Sequence, residues 1–282
     1  MIFSSCPPPC LAGVSLHLGP NCFSGTNVGA CTSARNTKSL LIPATVVAIG
    51  DAAFAFCDSI ETITFAEGSR LASVGFSAFM GTGVRSLDNP AALKMIGVDA
   101  FASCTALKTV RFAEGSQLVT IGGGAFARSG VTSLALPASL KTLGSGAFYA
   151  CTTLETVTFA EGFNPTMWDS AFWGTGVTSF AFPASLESIG QNTFSVCSAL
   201  ETITFAEGSV LGTIGSSAFS QTGVTSLDLP ARLKTIEYRA FSYCYNLTIV
   251  TFDGSTCYAD DVTISVDAFL YSPADPQPCA RR

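Results

Sequence analysis

Residues 100–146 read AFASCTALKTVRFAEGSQLVTIGGGAFARSGVTSLALPASLKTLGSG, and this 47-residue stretch decides the fold. It contains two Ala-Phe pairs, and the same Phe position recurs along most of the chain. The intervals between successive copies are 25, 22, 25, 22, 24, 22, 25, 22 and 28 residues, so long and short coils alternate. The ten copies are Phe54, Phe79, Phe101, Phe126, Phe148, Phe172, Phe194, Phe219, Phe241 and Phe269.

Both coil types begin with the pattern L-x-x-I-G-x-x-A-F. The long coil continues as C-x-x-L-x-x-V-x-F-A-E-G, and the short coil continues as T-G-V-x-S-L-x-L-P. A period of about 22 to 25 residues with L-x-x-L-x-L spacing is the signature of a leucine-rich-repeat solenoid. One coil cannot bury its apolar side alone, so each coil stacks on the next. The sequence therefore predicts an α/β solenoid with alternating 25- and 22-residue coils and a parallel sheet on its concave face.

The pattern also predicts the local structure of each coil. Residues 109–112 alternate with period two, which indicates a short strand with Val110 and Phe112 pointing inward. Phe101 and Cys104 are three residues apart, so we expect one turn of α- or 3₁₀-helix on the opposite side. The repeated Phe rings should stack as an interior ladder.

The chain divides into three parts by composition. Residues 1–36 are rich in Cys, Pro and Gly and are predicted to form an N-terminal cap or linker. Residues 37–269 form the solenoid, and residues 270–282 form a C-terminal tail.

The recurrent I-G-x-x-A-F-x-x-C-x-x-L-x-x-V-x-F and L-P-x-x-L-x-x-I-G motifs resemble the BspA-like leucine-rich repeats, also called the Treponema pallidum type. The resemblance covers about residues 37–269. It implies a surface or secreted protein, because the better-known members are implicated in adhesion to host matrix proteins and in cell–cell contact. It supplies no catalytic residues.

Composition excludes several classes of partner. The chain has 282 residues, a net charge of −6 and no Lys/Arg run, which argues against nucleic acid or an anionic membrane. Residues 39–57 are apolar, but Pro43 and Asp51 interrupt them and they follow the repeat, so we predict no membrane insertion. The N-terminal residues 1–19 lack the basic and continuous apolar regions of a secretory signal, so no signal peptide or transmembrane segment is visible.

The eleven cysteines form two groups. Equivalent positions in long coils lie two strand spacings apart, about 10 Å, whereas a disulfide needs Cα atoms within about 7 Å. We therefore expect the five cysteines of the long coils to be free, buried core residues: Cys57, Cys104, Cys151, Cys197 and Cys244. Six others lie in the flanks, where disulfides and unpaired thiols remain alternatives: Cys6, Cys10, Cys22, Cys31, Cys257 and Cys279.

The outward positions of the strands are the candidate ligand-binding residues, since solenoids commonly bind through an extended concave face. The alternative is that Thr simply suits an exposed strand. The long coils contribute Thr62, Thr64, Thr109, Arg111, Thr156, Thr158, Thr202 and Thr204. The short coils contribute Ser86, Asp88, Ser133, Ala135, Ser179, Ala181, Ser226 and Asp228.

Other conspicuous residues are further candidate sites. Trp168 and Trp173 fall in one coil outside the repeated core positions, which indicates either an exposed aromatic binding spot or drift within one repeat. Asn89 replaces an inward apolar residue and is expected to bond a turn amide. The carboxylates of the F-A-E-G turns lie too far apart to share one cation, so they are interpreted as solvated turn residues: Glu67, Glu114, Glu161 and Glu207.

Catalysis is not indicated. His17 is the only histidine and lies outside the repeats, and no GxSxG, P-loop, GxGxxG or HExxH motif is present. We therefore predict a non-enzymatic binding module without metal or cofactor, whose ligand is a protein or a glycan. The alternatives are a structural, self-assembling repeat protein and, more remotely, an ice- or crystal-surface binder suggested by the T-x-T pairs.

Overall fold

The computed structural model describes residues 16–17, 37–163, 169–274 and 276–278. Ten four-residue strands lie at the predicted strand positions: β2 (Ser39–Ile42), β4 (Thr62–Phe65), β6 (Ser86–Asn89), β8 (Thr109–Phe112), β10 (Ser133–Leu136), β12 (Thr156–Phe159), β13 (Ser179–Phe182), β15 (Thr202–Phe205), β17 (Ser226–Leu229) and β19 (Ile249–Phe252). Two-residue strands form a second side: β3 (Ala48–Ile49), β5 (Ser73–Val74), β7 (Met95–Ile96), β9 (Thr120–Ile121), β11 (Thr142–Leu143), β14 (Ser188–Ile189), β16 (Thr213–Ile214), β18 (Thr235–Ile236) and β21 (Thr263–Ile264). Three further strands lie towards the ends of the chain: β1 (Leu16–His17), β20 (Cys257–Tyr258) and β22 (Gln277–Pro278).

The sheets are parallel and keep one register from coil to coil. For example, Ser133 of β10 pairs with Thr156 of β12, and Leu134 pairs with Val157. Because each residue faces its equivalent in the next coil, the apolar positions superpose along the axis and the polar positions remain outside. The predicted parallel-sheet solenoid is confirmed. Leu16 of β1 pairs with Leu40, so the sheet continues into the segment assigned by sequence to the N-terminal cap.

The third side of each coil contains turns, and the described residues contain no helix, so the predicted helical turn and the α/β class are wrong. In every such turn but the last, two residues have positive φ, as in Asp99 (55°) and Ser103 (59°), and this conformation cannot continue a right-handed helix. The amides of the turn bond the next coil instead. Phe101 N donates to Ala125 O at 2.7 Å, and Ser103 N donates to Ala127 O at 2.7 Å. Backbone hydrogen bonds between neighbouring coils thus replace the hydrogen bonds that a helix would make within one coil.

The core is organised around the predicted ladder of phenylalanines, which is confirmed. Ten rings stack in sequence from Phe54 to Phe269, with centroids 5.1–5.6 Å apart and planes within 12° of parallel. The nine from Phe54 to Phe241 are at most 1% exposed. Offset stacking at this spacing is favourable, so each ring stabilises both of its neighbours.

Four of the five long-coil cysteines are free and buried, as predicted: Cys104, Cys151, Cys197 and Cys244. Each thiol donates to the carbonyl of the ladder Phe in the preceding short coil, as Cys197 Sγ does to Phe172 O at 3.0 Å. A hydroxyl lies beside the same sulfur, and Thr175 Oγ1 is 3.3 Å from Cys197 Sγ. Burial raises the pKa of all four thiols above 9.0, and that of Cys197 to about 11.

Cys57 is buried, as predicted, but the prediction that it is free is wrong, because Cys57 is disulfide-bonded. Cys257 is disulfide-bonded as well. These two cysteines lie at opposite ends of the array and the other four described cysteines are free, so both partners lie outside the described residues. The spacing of about 10 Å separates equivalent long coils only, and it does not apply to a partner outside them. Cys57 belongs to the first long coil, which has no equivalent coil before it. The flanking Cys6, Cys10, Cys22, Cys31 and Cys279 lie outside the described residues.

Candidate functional site

The outward surface of the four-residue strands, here called the strand face, presents two rows of side chains. All fourteen polar candidates lie on it; Ser86 and Thr109 are half-buried and the others are exposed. The first row consists of nine hydroxyl side chains: Ser39, Thr62, Ser86, Thr109, Ser133, Thr156, Ser179, Thr202 and Ser226. The second row is more varied: Thr64, Asp88, Arg111, Ala135, Thr158, Ala181, Thr204 and Asp228.

The hydroxyl row is regular because the register places Ser of a short coil beside Thr of a long coil. Ser86 pairs with Thr109, Ser133 with Thr156 and Ser179 with Thr202. Adjacent parallel strands within a sheet lie about 4.8 Å apart, so the four hydroxyls of β6, β8, β10 and β12 span roughly 14 Å. The result is a long, uncharged surface of donors and acceptors.

Charge on this face is concentrated toward the N-terminal coils. Arg111 Nη1 lies 3.2 Å from Asp88 Oδ1, and the two side chains are each 67% exposed. Glu61 lies 3.4 Å from Lys38 and 2.9 Å from Arg85, just beside the hydroxyl row. Exposed pairs of this kind contribute about 0 to 1 kcal/mol to folding, so their effect lies mainly in what they offer a ligand.

A cleft opens where the strand face ends, between the turns of the first two described long coils. We call it the Asn89 cleft, with a volume of about 840 Å³. Its lining includes the aromatic residues Phe65 and Phe112, residues 88–92, and the polar residues Thr64, Ser69, Arg111 and Gln117. The longer F-A-E-G turns project past the shorter L-P turn between them, and this difference in coil length produces the cleft.

An equivalent cleft two repeats further along, the Phe182 cleft, has a volume of about 540 Å³. Here Phe182 occupies the position of Asn89, and its ring stacks on Phe205 with centroids 5.3 Å apart. Asn89 is only 4% exposed, and its Nδ2 donates to Arg111 O at 3.0 Å. The bond is therefore to a strand carbonyl of the next coil. The sequence had led us to expect a bond to a turn amide.

The predicted aromatic spot lies on the turn side. The ring of Trp173 stacks on Tyr149, with centroids 4.5 Å apart, and Arg128 lies 5.7 Å from the centroid of Tyr149. Trp168 lies outside the described residues. Sequence reasoning missed Tyr149, although its position directly after Phe148 matches that of Trp173 after Phe172.

The repeated turn carboxylates are exposed, as interpreted from sequence: Glu67, Glu114, Glu161 and Glu207. Within the described parts of the chain, no three His, Cys, Asp or Glu side chains form a group that could hold a metal ion. The described residues also contain no helix with the length and apolarity needed to cross a membrane.

Comparison with known families agrees with this geometry. Residues 17–155 and 165–267 match the BspA type Leucine rich repeat region, with six copies of the repeat. The chain belongs to this family, and it is a leucine-rich-repeat solenoid of the BspA type. No curated protein matches it.

Three solved structures are similar to this chain. The pneumococcal vaccine antigen PcpA is 22% identical with a TM-score of 0.53, over 82% of this chain and 69% of that chain. A leucine-rich repeat protein from Eubacterium ventriosum ATCC 27560 is 20% identical with a TM-score of 0.50, over 86% of this chain and 78% of that chain. A leucine rich cell surface protein from Faecalibacterium prausnitzii A2-165 is 20% identical with a TM-score of 0.43, over 87% and 81%.

Proposed function

We propose that the protein is a non-enzymatic binding module that holds a protein ligand on its strand face. The observation that carries this proposal is the row of nine hydroxyl side chains, which are in register within each sheet and offer many equivalent donors and acceptors. Individual contacts of this type are weak, and their number along an extended face supplies affinity. The ion pair of Asp88 and Arg111 interrupts the uncharged surface, so the N-terminal part of the strand face differs from the rest.

The proposed location is the cell surface or the extracellular space. Cys57 and Cys257, near the two ends of the solenoid, are disulfide-bonded, and disulfides persist mainly in oxidising compartments. The resemblance of the family to surface proteins supports the same location. Cys104, Cys151, Cys197 and Cys244 are buried and hydrogen-bonded, so they are compatible with an oxidising environment.

The experiment is a binding screen of extracellular matrix proteins and of glycans on immobilised arrays. For every ligand found, two strand-face variants are compared with matched variants on the turn side. Arg111→Glu is matched by Arg128→Glu, and Thr156→Lys is matched by Ser145→Lys, since all four side chains are exposed. We expect the strand-face variants to weaken binding at least tenfold, with the turn-side variants within twofold of the parent.

Equal binding by Arg111→Glu, Thr156→Lys and the parent would refute the strand face as the binding surface. Binding only to glycans would refute a protein ligand. Concentration-dependent growth of the particle size in light scattering, with no ligand found, would support self-assembly in place of ligand binding.

A further inference from the structure

We propose that Asn246 is the attachment point of an N-linked glycan. The proposal concerns a modification of the chain and not the ligand of the strand face. It rests on the proposed location outside the cell, because N-linked glycans are attached to proteins that leave the cytoplasm. The last long coil carries the acceptor sequence, and two departures from the repeat create it there.

The acceptor sequence Asn-x-Ser/Thr arises in one of the five long coils. Asn246 lies two residues after Cys244, and Thr248 lies four residues after it. Both exchanges are needed, because the asparagine accepts the sugar and the hydroxyl residue is required for recognition. The equivalents of Asn246 in the other long coils are Ser59, Ala106, Thr153 and Ala199, and the equivalents of Thr248 are Glu61, Lys108, Glu155 and Glu201.

The other asparagines of the chain do not meet the requirement. Seven asparagines are present, and only Asn164 and Asn246 are followed by Ser or Thr two residues later. Pro165 lies directly after Asn164. Glycan transferases do not accept proline at this position, where it fixes φ and removes a backbone N–H. The sequence thus offers one acceptor site.

Asn246 is accessible in the folded chain. It lies in a turn that precedes β19, so neither Asn246 nor Thr248 belongs to a strand. Both side chains are exposed, and the Asn246 amide group makes no hydrogen bond with the described residues. Thr248 Oγ1 lies 3.4 Å from Thr225 O, which is long for a hydrogen bond. A glycan on Asn246 would therefore displace no hydrogen bond of the solenoid.

A shallow depression of about 300 Å³ beside Asn246 gives the first sugar a place on the surface. Tyr243 and Tyr245 line it with rings whose centroids are 6.2 Å apart, and Tyr245 is 68% exposed. Ser198 and Gln221 add a hydroxyl and an amide group, and no described residue of the lining is charged. A sugar has an apolar ring face and a polar edge, so this neutral surface complements both.

The buried neighbours of Asn246 determine when the glycan can be attached. Cys244 and Leu247 are fully buried, so the folded coil does not let a transferase enclose the acceptor peptide. Transfer must therefore precede the stacking of this coil. Cys57 and Cys257 are disulfide-bonded, which indicates passage through an oxidising compartment such as the endoplasmic reticulum lumen or the periplasm.

The reaction needs a donor sugar linked through C1 to a polyprenyl diphosphate. Asn246 Nδ2 forms a bond with C1 of this sugar as the bond between C1 and the diphosphate oxygen breaks. The diphosphate leaves with the electron pair of that bond, and a base of the transferase takes one proton from Nδ2. The product is a neutral amide that retains one N–H.

The first test uses the protein isolated from the cells that produce it. Peptides that contain residue 246 are analysed by mass spectrometry before and after treatment with peptide-N-glycosidase. We expect a glycan mass on this peptide, and its enzymatic removal should leave an aspartate at position 246. An unmodified peptide in the isolated protein would overturn the proposal.

Variants of the full chain, directed into a eukaryotic secretory pathway by an added signal peptide, locate the attachment. Asn246→Gln and Thr248→Ala should abolish the glycan, whereas Thr248→Ser should retain it because the hydroxyl is kept. A glycan that persists on Asn246→Gln would show that the assignment is wrong. Circular dichroism should show the parent fold in each variant, since both side chains are exposed.

A double variant controls for the host cell. Ala199→Asn combined with Glu201→Thr builds the same acceptor sequence at equivalent exposed positions of the preceding long coil. We expect this variant to carry a second glycan. Modification at position 199 without modification of Asn246 would overturn the proposal, because the host and the scaffold would both have been competent.

Failure of this proposal is distinguishable from failure of the proposed function. If Asn246 carries no glycan while Arg111→Glu and Thr156→Lys weaken ligand binding, only the attachment site is overturned. If Asn246 is glycosylated and those two variants bind as well as the parent, only the strand face is overturned. Asn246→Gln should bind a strand-face ligand as tightly as the parent does.

Discussion

Ionisation of the buried thiols should weaken the solenoid at alkaline pH, and Cys197 allows the size of this effect to be worked out. Burial raises the pKa of Cys197 from 9.0 to about 11, which outweighs the lowering by its hydrogen bond with Thr175. Between these two pKa values the unfolded chain releases the proton and the native state retains it. The free energy of unfolding therefore falls as the pH rises through this range.

The magnitude follows from the two pKa values, with one pKa unit equal to about 1.4 kcal/mol. The contribution of Cys197 is fully present below pH 9. It falls by about 1 kcal/mol at pH 10 and by about 2 kcal/mol at pH 11. The pKa values of Cys104, Cys151 and Cys244 are raised by burial too, so the parent should lose further stability over the same range.

The assay is urea unfolding followed by far-ultraviolet circular dichroism at pH 8, 9, 10 and 11, without reductant and with a chelator present. Cys197→Ala is the comparison, because Thr175 Oγ1 retains its bond to Phe172 O at 2.9 Å and no polar group is stranded. All other titrating groups are common to both proteins. The stability difference between parent and variant should shrink by about 2 kcal/mol from pH 8 to pH 11. A difference that stays constant within about 0.5 kcal/mol would refute the linkage to this thiol.

Two further predictions concern packing. Phe126→Ala should lower the free energy of unfolding by about 3 to 5 kcal/mol in urea unfolding, because it opens a cavity and removes two ring contacts. Phe126→Leu should lower it markedly less. Equal losses of stability in the two variants would contradict a role for the ladder. Gly130→Ala should be more damaging than Gly115→Ala by thermal unfolding, since a Cβ at Gly130 would lie 2.1 Å from Thr105 O. At Gly115, where φ is +70° and no atom lies within 4 Å, only backbone strain of about 1 to 2 kcal/mol is expected, and the reverse order would contradict this account.

The strands were predictable from the sequence because their signal is local. In residues 109–112 the period-two pattern predicts which side chains point inward. The coil length predicts where the next strand begins. Stacking identical coils then leaves only one register in which Val110 meets Leu87 and Leu134. The ladder of Phe101 and its equivalents follows from the same reasoning.

The turn side was not predictable, because its signal is not local. Positive φ occurs at residues of very different types, namely Asp99, Ser103, Arg128 and Tyr243. None of these residue types indicates positive φ in a sequence. The strain is compensated by amide bonds to the next coil, for example from Arg128 N to Tyr149 O at 2.7 Å. A spacing of three between Phe101 and Cys104 fits a helical turn equally well on paper, and only the stacking of coils decides between them.

The position of a site on a repeat scaffold is best sought where one coil departs from its equivalents. Most conspicuous residues here, such as Phe101, Cys104 and Glu114, are shared among coils and are explained by stacking or by solvated turns. Asn89 has Leu136, Phe182 and Leu229 as its equivalents, and Arg111, which lies beside Asp88, has Thr64, Thr158 and Thr204 as its equivalents. These departures stand around one cleft. Burying an amide at a position where the scaffold accepts a leucine or a phenylalanine costs stability unless the group has a partner. The Asn89 amide has such a partner within the chain, because its Nδ2 donates to Arg111 O at 3.0 Å.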